Sequence, residues 1–233
     1  MSATVDAVIP VHNAAAYLRE AVASVLSQTL AVRRIIVVDD GSTDASADIA
    51  RAYGPPVDVH GQARRGAASA RNAGIARSDA DFVAFLDADD RWRRGRIRAA
   101  MRQFDETPTL GYVVSRMQTF VSPELSDDAQ RRLRAQNAPH ADGWLTSALV
   151  VRRAALATVG GFDEVLRIGE AIDWFSRARA AGVAGDMHAD VLVERRLHET
   201  NSTHADAGAA HAYLVVAKRH LDRLRAARGD DDR

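Results

Sequence analysis

Three short apolar segments in the first ninety residues each run directly into a polar loop. They are residues 3–11, 34–38 and 82–86, followed by His12-Asn13, Asp39-Asp40 and Asp87-Ala88-Asp89-Asp90. Segments with apolar residues at three- and four-residue spacing lie between or after them, at 13–28, 42–52 and 67–76, with Asn13 as a candidate N-cap. This alternation predicts an α/β fold with a mostly parallel sheet and helices on both faces. Ligands of such sheets bind at the carboxyl ends of the strands.

Composition removes several function classes. The chain has 233 residues and no cysteine, which excludes a disulfide framework, a thiol nucleophile and thiolate metal sites. Lysine and arginine total 31, and aspartate and glutamate also total 31. We therefore expect no attraction of the whole chain to nucleic acid.

Asp87 and Asp89 are the first candidate site residues, because both follow the third apolar segment directly. In extended backbone, residues two apart point the same way, so both carboxylates are expected to face one point. Such a pair suits a hard divalent cation, Mn²⁺ or Mg²⁺, that takes its other ligands from a substrate phosphate. An acidic surface turn is the alternative for this short motif taken alone.

Two further residues suit a nucleotide. Asp39 ends a strand, where a carboxylate is well placed to accept hydrogen bonds from a base or a ribose hydroxyl. Arg71 lies in the small-residue segment GAASARNAG, where its guanidinium could hold a diphosphate. A solvated helix face is the alternative for Arg71.

The second half of the chain is less regular. Predicted helices occupy 97–104, 127–136, 153–159 and 170–181, and predicted strands occupy 111–120 and 144–152. Residues 209–228 form an amphipathic pattern, which predicts a helix docked on the protein surface. Helices that lie on membranes share this pattern, so weak association with a membrane surface stays an alternative.

No run of about 18 apolar residues offers a transmembrane segment. The first ten residues include Asp6 and no basic residue, unlike an export signal. The sequence therefore predicts a cytoplasmic protein.

Four motifs together carry a family resemblance: VIPVHN, VVDDGSTD, GAASARNAGI and FLDADD, followed by GGFDE at 160–164. In this order and spacing they resemble the family 2 glycosyltransferases with the GT-A fold. The resemblance implies a Rossmann-like sheet, a nucleotide-sugar donor with UDP sugars as the first candidates, a divalent metal, and inverting transfer to an acceptor hydroxyl. It also implies one domain over 1–205, with a donor half (1–105) and a smaller acceptor-side half (106–205), before a C-terminal helix and tail (206–233).

Site residues carry over from these motifs position by position. The resemblance implies that three residues of the first motif lie beside the nucleoside, that Asp39 contacts the base, and that Arg71 lies near the base and diphosphate. It implies that Asp87 faces ribose and metal and that Asp89 binds the metal. The three residues of the first motif are Pro10, Val11 and Asn13.

The catalytic base is less clear from the sequence. Family members usually supply it from a Glu-Asp pair after GGFDE, but here Ala171 follows Glu170. Three alternatives remain: Glu170 is the base, Asp173 on the same helical face is the base, or the chemistry is impaired. Glu170 is the first choice, because a helix N-terminus favours its ionised form.

A final element at 195–201 resembles the closing R-x-H-x-x-N of the family. The resemblance suggests that Arg195 or Arg196 reaches the diphosphate and that His198 completes the metal site. A surface histidine without a ligand role is the alternative for His198.

Two other function classes remain at this point. A catalytically silent sugar-nucleotide-binding module is consistent with Ala171. A sugar nucleotidyltransferase shares the sheet architecture, but it needs a glycine-rich loop after the first strand, where this chain has His12-Asn13-Ala14-Ala15. The acceptor class is open among carbohydrates, lipid-linked carbohydrates, peptides and small molecules.

Overall fold

The computed structural model describes residues 3–141, 144–199, 214–216, 218–219 and 222–223. The strands are β1 (Val5–Val11), β2 (Arg34–Asp40), β3 (Val57–Gln62), β4 (Phe82–Phe85), β5 (Arg91–Trp92), β6 (Tyr112–Val121), β7 (His140–Ala141), β8 (Leu149–Arg152) and β9 (Gly185–Leu197). The helices are α1 (Leu18–Leu26), α2 (Ser46–Arg51), α3 (Ala67–Arg77), α4 (Arg96–Glu106), α5 (Asp127–Gln136), α6 (Arg153–Val159) and α7 (Glu170–Ala180), with a 3₁₀ turn at Thr146–Ala148.

One sheet organises the described part of the chain, in the strand order β3-β2-β1-β4-β8-β6-β9-β5, with β7 beside β6. Strands β3, β2, β1 and β4 are parallel to one another, as predicted for β1, β2 and β4. Strand β8 is antiparallel to both β4 and β6, while β9 runs parallel to β6. The sheet therefore has a parallel first half and a mixed second half.

The sheet lies between two layers of helices. Successive residues of β1 point to opposite faces of the sheet, so each face packs against one of these layers. Ala7 and Ile9 belong to the apolar cluster that contains residues of α1 and α4. Val8 belongs to the other cluster, which contains residues of α3, α6 and α7. The two-faced burial explains why β1 has no polar face apart from Asp6, which is buried.

Three predicted elements differ from the structure. Residues 144–152 were expected to be one strand, but the strand begins at Leu149, after the 3₁₀ turn. The helices predicted to begin at 13 and 42 begin at Leu18 and Ser46, because the preceding polar residues join the two loops to each other. Strand β9 was not predicted: its exposed first half lacks an apolar alternation, and its register against β6 shifts near Arg116.

The predicted C-terminal helix is only partly within the described residues. Residues 214–216, 218–219 and 222–223 are helical, and Val216 is buried. The rest of 209–228 lies outside the described residues. Within the described part of the chain, no helix has the length and apolar character needed to cross a bilayer.

Candidate functional site

The carboxyl ends of β1, β2 and β4 lie side by side at one edge of the sheet. Val11 of β1 pairs with Asp39 of β2. Leu86, just beyond β4, donates its amide hydrogen to the carbonyl oxygen of Val8 at 3.1 Å. The polar loops that follow these strands therefore leave the sheet at the same edge, as parallel pairing requires.

The loop after β1 is held against the loop after β2. Pro10 and Val11 are buried in β1, and Asn13 follows with φ of 50°. The side-chain oxygen of Asn13 accepts a hydrogen bond from the amide of Thr43 at 2.8 Å, and its own amide donates to Ser42 Oγ at 3.0 Å. The expected N-cap role of Asn13 is wrong, since this side chain joins two loops instead of starting α1.

Asp39 and Asp40 contact different parts of the chain. Asp39 is largely buried, and its Oδ1 accepts a hydrogen bond from the amide of Ser42 at 3.1 Å. Asp40 accepts hydrogen bonds from the amides of Arg65 at 2.8 Å and Gly66 at 2.7 Å, so it fixes the chain at the start of α3. Sequence analysis did not assign Asp40 a role, because these contacts join residues 25 and 26 positions apart and leave no local signal.

Arg71 of α3 is the centre of the site. Its side chain is only 4% exposed, and it donates to Asp87 Oδ1 at 2.6 Å and to Glu170 Oε1 at 2.7 Å. Burial disfavours its charge, but Asp87 and Glu170 outweigh that effect and raise the pKa of Arg71. Arg71 therefore joins a carboxylate from the first half of the chain to one from the second half.

Asp87 and Asp89 do not point together, contrary to the expectation from an extended backbone. Strand β4 ends at Phe85, and a turn follows in which the amide of Asp90 donates to the carbonyl oxygen of Asp87 at 3.1 Å. Within that turn, Asp87 faces Arg71, whereas Asp89 Oδ2 lies 2.9 Å from His198 Nε2. The assumed strand geometry was wrong, because a turn and not an extended strand carries both residues.

Asp90, which sequence analysis did not single out, is buried behind the turn. Burial raises the pKa of Asp90 well above its usual range, and the charges of Asp89 and Asp87 add to the effect. The amide of Arg196 donates to Asp90 Oδ1 at 2.9 Å. This contact ties the end of β9 to the turn.

Arg196 was predicted to reach a diphosphate, but its described contacts fix the protein itself. Its side chain is 3% exposed; Nε donates to the carbonyl oxygen of Asp89 at 3.0 Å and Nη2 to Glu20 at 2.7 Å. Its guanidinium also lies over the ring of Tyr17 at 4.8 Å. Arg195, the other candidate, lies opposite Thr119 of β6 and is partly buried.

Asp89 and His198 are the best placed pair for a metal. Among the described residues, no three His, Cys, Asp or Glu side chains are grouped so that they could hold a metal ion by themselves. The carboxylate oxygen of Asp89 nevertheless suits Mn²⁺ or Mg²⁺, which take further ligands from substrate phosphates, and neutral imidazole is a common metal ligand. The pair therefore fits a metal that arrives with a diphosphate. Asp87, the third predicted ligand, is occupied by Arg71.

The two candidate bases lie in different surroundings. Glu170 begins α7 and contacts Arg71, so it lies with Asp87. Asp173 is 1% exposed and accepts hydrogen bonds from Arg177 at 2.8 Å and Arg223 at 2.7 Å. Ala171 is buried in the apolar cluster beneath α7. These contacts favour Glu170 over Asp173 as the residue that acts at the site.

The GGFDE segment is clamped to α3 by Asn72, another residue that sequence analysis left without a role. Asn72 Nδ2 donates to the carbonyl oxygen of Phe162 at 2.8 Å, and its Oδ1 accepts from the amide of Phe162 at 2.8 Å. A Cβ added to Gly161 would lie 2.4 Å from Asn72 Oδ1. The clamp places the segment before α7 beside the helix that carries Arg71.

Comparison with known sequences agrees with this arrangement. The model of glycosyl transferase family 2 matches residues 6–156. A pre-mycofactocin glycosyltransferase of Mycobacterium tuberculosis is 38% identical over 192 residues, which cover 76% of this chain and 39% of the relative. The glycosyltransferase GlyG of Streptococcus pneumoniae is 34% identical over 46% of this chain and 36% of that relative. The matched part of this chain therefore spans well under half the length of each of those relatives.

Solved structures share the fold. TarS of Staphylococcus aureus in complex with UDP-GlcNAc superposes with a TM-score of 0.74 and 18% identity, covering 95% of this chain and 66% of the TarS chain. Its complex with UDP gives a TM-score of 0.65 at 19% identity, covering 94% of this chain and 71% of the TarS chain. The predicted GT-A fold, with helices on both faces of the sheet, is thereby confirmed. The family match, which covers more than half of the residues, identifies the chain as a member of glycosyl transferase family 2.

Proposed function

We propose that this chain transfers a sugar from a UDP sugar to an acceptor hydroxyl, with inversion at the sugar carbon. The observation that carries the proposal is the bridge through Arg71, which places Glu170 next to Asp87 at the edge where the polar loops meet. The buried guanidinium of Arg71 thus contacts both Glu170, the proposed base, and Asp87, a carboxylate of the donor loops.

Donor binding is assigned to the loops after β1 and β2. Asp39 accepts from the base, while Asn13 holds the two loops together so that the nucleoside fits between them. Two complexes of the same-fold protein TarS, with UDP-GlcNAc and with UDP, support UDP as the nucleotide. Ser42 contacts Oδ1 of Asp39, so Oδ2 is a second acceptor atom for a hydrogen bond from the base.

The reaction is a direct displacement. The acceptor oxygen bonds to the anomeric carbon from one face, while the bond from that carbon to the diphosphate oxygen breaks on the other. UDP departs with the bonding electrons, and the acceptor proton passes to the Glu170 carboxylate. Because Glu170 begins α7, the positive end of the helix dipole favours its charged form.

A divalent metal is part of this proposal. Asp89 and His198 would hold it from the protein side. When bound, Mn²⁺ or Mg²⁺ supplies Lewis-acid stabilisation of the charge on the departing diphosphate. Arg71 holds Asp87, at the start of the same turn.

The acceptor is proposed to be a hydroxyl compound that enters from the side of α7. Relatives with different printed functions match this chain, so carbohydrate, lipid-linked, peptide and small-molecule acceptors belong in the first screen. The pre-mycofactocin acceptor of the 38% identical relative is the first to test.

The proposal is tested by UDP binding and UDP release. Thermal shift with UDP, GDP and TDP sugars in Mn²⁺ is expected to give a stabilisation that grows with the concentration of a UDP sugar. UDP release from that sugar, with water or the screened acceptors, then reports turnover. Binding without release by any acceptor would instead support a silent nucleotide-binding module, and no binding of any nucleotide sugar would overturn both.

A further inference from the structure

A buried serine outside the predicted site contacts the start of the Asp87–Asp90 turn. Ser147 lies in the 3₁₀ turn before β8 and is fully buried. Its Oγ accepts a hydrogen bond from the amide of Asp87 at 3.1 Å. The same side chain opposes the rise that burial causes in the pKa of Asp90, the last residue of the turn. A serine hydroxyl oxygen has two acceptor positions, so it can take the amide hydrogen of Asp87.

The backbone of Ser147 holds the residues that follow the turn. Its carbonyl oxygen accepts from Trp92 Nε1 at 3.1 Å and from Arg96 Nη2 at 3.0 Å. Arg96 is 1% exposed, and its guanidinium lies 4.6 Å from the centre of the Trp92 ring. The 3₁₀ turn is therefore itself fixed from the far side, so the hydroxyl of Ser147 has a defined position.

The neighbouring residue adds a weaker contact of the same kind. Thr146 Oγ1 lies 3.5 Å from Asp87 Oδ1. Both hydroxyls thus come from the half of the chain that follows the donor loops, and both reach the residue that Arg71 holds from the other side. The orientation of Asp87 depends on contacts from two separate parts of the chain.

We propose that Ser147 is a positioning residue that fixes the Asp87–Asp90 turn in the orientation needed to bind a nucleoside diphosphate with its metal. It acts by holding the amide of Asp87 at the start of that turn. The inference rests on the proposed function, which supplies the ligand. The structural part of its test does not depend on that function. The proposed role of Ser147 involves no contact with the reacting atoms.

The chain offers a matched control. Ser115 on β6 is also buried, but within the described residues its hydroxyl has no hydrogen-bond partner. Ser147→Ala and Ser115→Ala therefore remove the same atom from comparable burial. Only the first removal breaks contacts to the turn.

UDP binding, measured by calorimetry with Mn²⁺ and again with a chelator, gives the functional readout. Ser147→Ala is expected to lower UDP affinity about tenfold in Mn²⁺ and less than about twofold in the chelator, because the turn carries the metal-side residues. Ser115→Ala is expected to leave both affinities unchanged. Wild-type UDP affinity in Mn²⁺ for Ser147→Ala would overturn the proposal.

Hydrogen exchange gives a readout that needs no ligand. The amide of Asp87 should exchange at least about tenfold faster in Ser147→Ala than in Ser115→Ala, since it loses its acceptor. Failure of wild-type protein to bind UDP would contradict the proposed function while leaving this exchange test intact. An unchanged exchange rate would contradict the positioning role.

A second variant guards against loss of folding. Ser147→Cys keeps a side chain of similar shape with a weaker hydrogen-bonding group. It should fold and show an intermediate loss of UDP affinity in Mn²⁺. If Ser147→Ala does not fold, wild-type affinity in Ser147→Cys overturns the inference.

Discussion

The guanidinium of Arg71 donates to the carboxylate of Glu170 at 2.7 Å, although the two residues are 99 positions apart in the sequence. Arg71 is almost fully buried, and the side chain of Glu170 is 15% exposed. A buried charge of this kind is stable only while its partners are present. The buried charge of Arg71, in the first half of the chain, therefore depends on the folding of the second half, which supplies Glu170.

Glu170→Gln tests the base. We expect kcat for UDP release to fall at least about 100-fold, because the amide cannot take the acceptor proton, while KM for the UDP sugar changes little. Asp173→Asn is the comparison, since it removes contacts to Arg177 and Arg223 away from the site. It should lower stability and leave kcat near wild type. Full activity of Glu170→Gln would exclude it as the base.

Arg71→Lys tests the bridge. A lysine has one nitrogen in place of the two from which Arg71 reaches Glu170 and Asp87, so the free energy of unfolding should fall by about 2 kcal/mol and UDP affinity should fall with it. Arg65→Lys is the matched control, because its ion pair with Glu164 is largely exposed and should contribute under about 1 kcal/mol. Urea denaturation of both variants measures the difference, and equal losses would contradict a special role for Arg71.

His198→Ala tests the metal pair. Removal of the imidazole beside Asp89 should raise the Mn²⁺ concentration needed for half-maximal UDP release by roughly tenfold, since the site loses one protein ligand. His60→Ala is the control, because His60 contacts Asp58 on β3. The same Mn²⁺ titration curve for both variants would assign His198 a structural role alone.

Gly161→Ala tests the clamp on the GGFDE segment. The new methyl group would meet Asn72 Oδ1 at 2.4 Å, so the hydrogen bonds of Asn72 to Phe162 must shift. We expect a loss of about 1–3 kcal/mol in unfolding free energy. Gly95→Ala has no atom within 4 Å of its added methyl group and should change stability by under about 0.5 kcal/mol. Thermal denaturation compares the two variants.

Asp6→Asn tests a buried carboxylate away from the site. Burial raises its pKa, but hydrogen bonds from Arg33 and Ser78 and the charges of Arg33 and Arg34 lower it overall. A depressed folded-state pKa contributes stability above the unfolded value of 3.8 and loses it as pH falls through the folded value. Wild type should therefore exceed the variant by about 2 kcal/mol at pH 7, with the difference shrinking below about pH 4.

The exposed pair Asp48 and Arg51 supplies the control for that pH dependence. Both side chains are more than half exposed, so Asp48→Asn should change stability little at any pH. Chemical denaturation across pH 3–7 measures both variants. A constant difference for Asp6→Asn over that range would contradict the assigned pKa shift.

The amino-acid sequence determined the parts that depend on local pattern. Apolar runs that end in acidic loops predicted the parallel strands, and the motifs around Asp39, Arg71 and Asp87 predicted a site at the carboxyl ends of those strands. The strand prediction is confirmed, because strand and helix periodicity is a property of neighbouring residues. The contact between Asp89 and His198 agrees with the metal role that the motif implied for them, which stays a prediction.

Only the tertiary structure decided which of those residues meet. The turn after Phe85 separates Asp87 from Asp89, and the irregular strand β9 brings Arg196 behind the turn. The pattern of neighbouring residues does not indicate such contacts. Pairings between distant segments are set by packing and by the need to satisfy buried charges and polar groups. Arg71 and Ser147 show the reason most clearly, since the partners that give each its role lie far away in the chain.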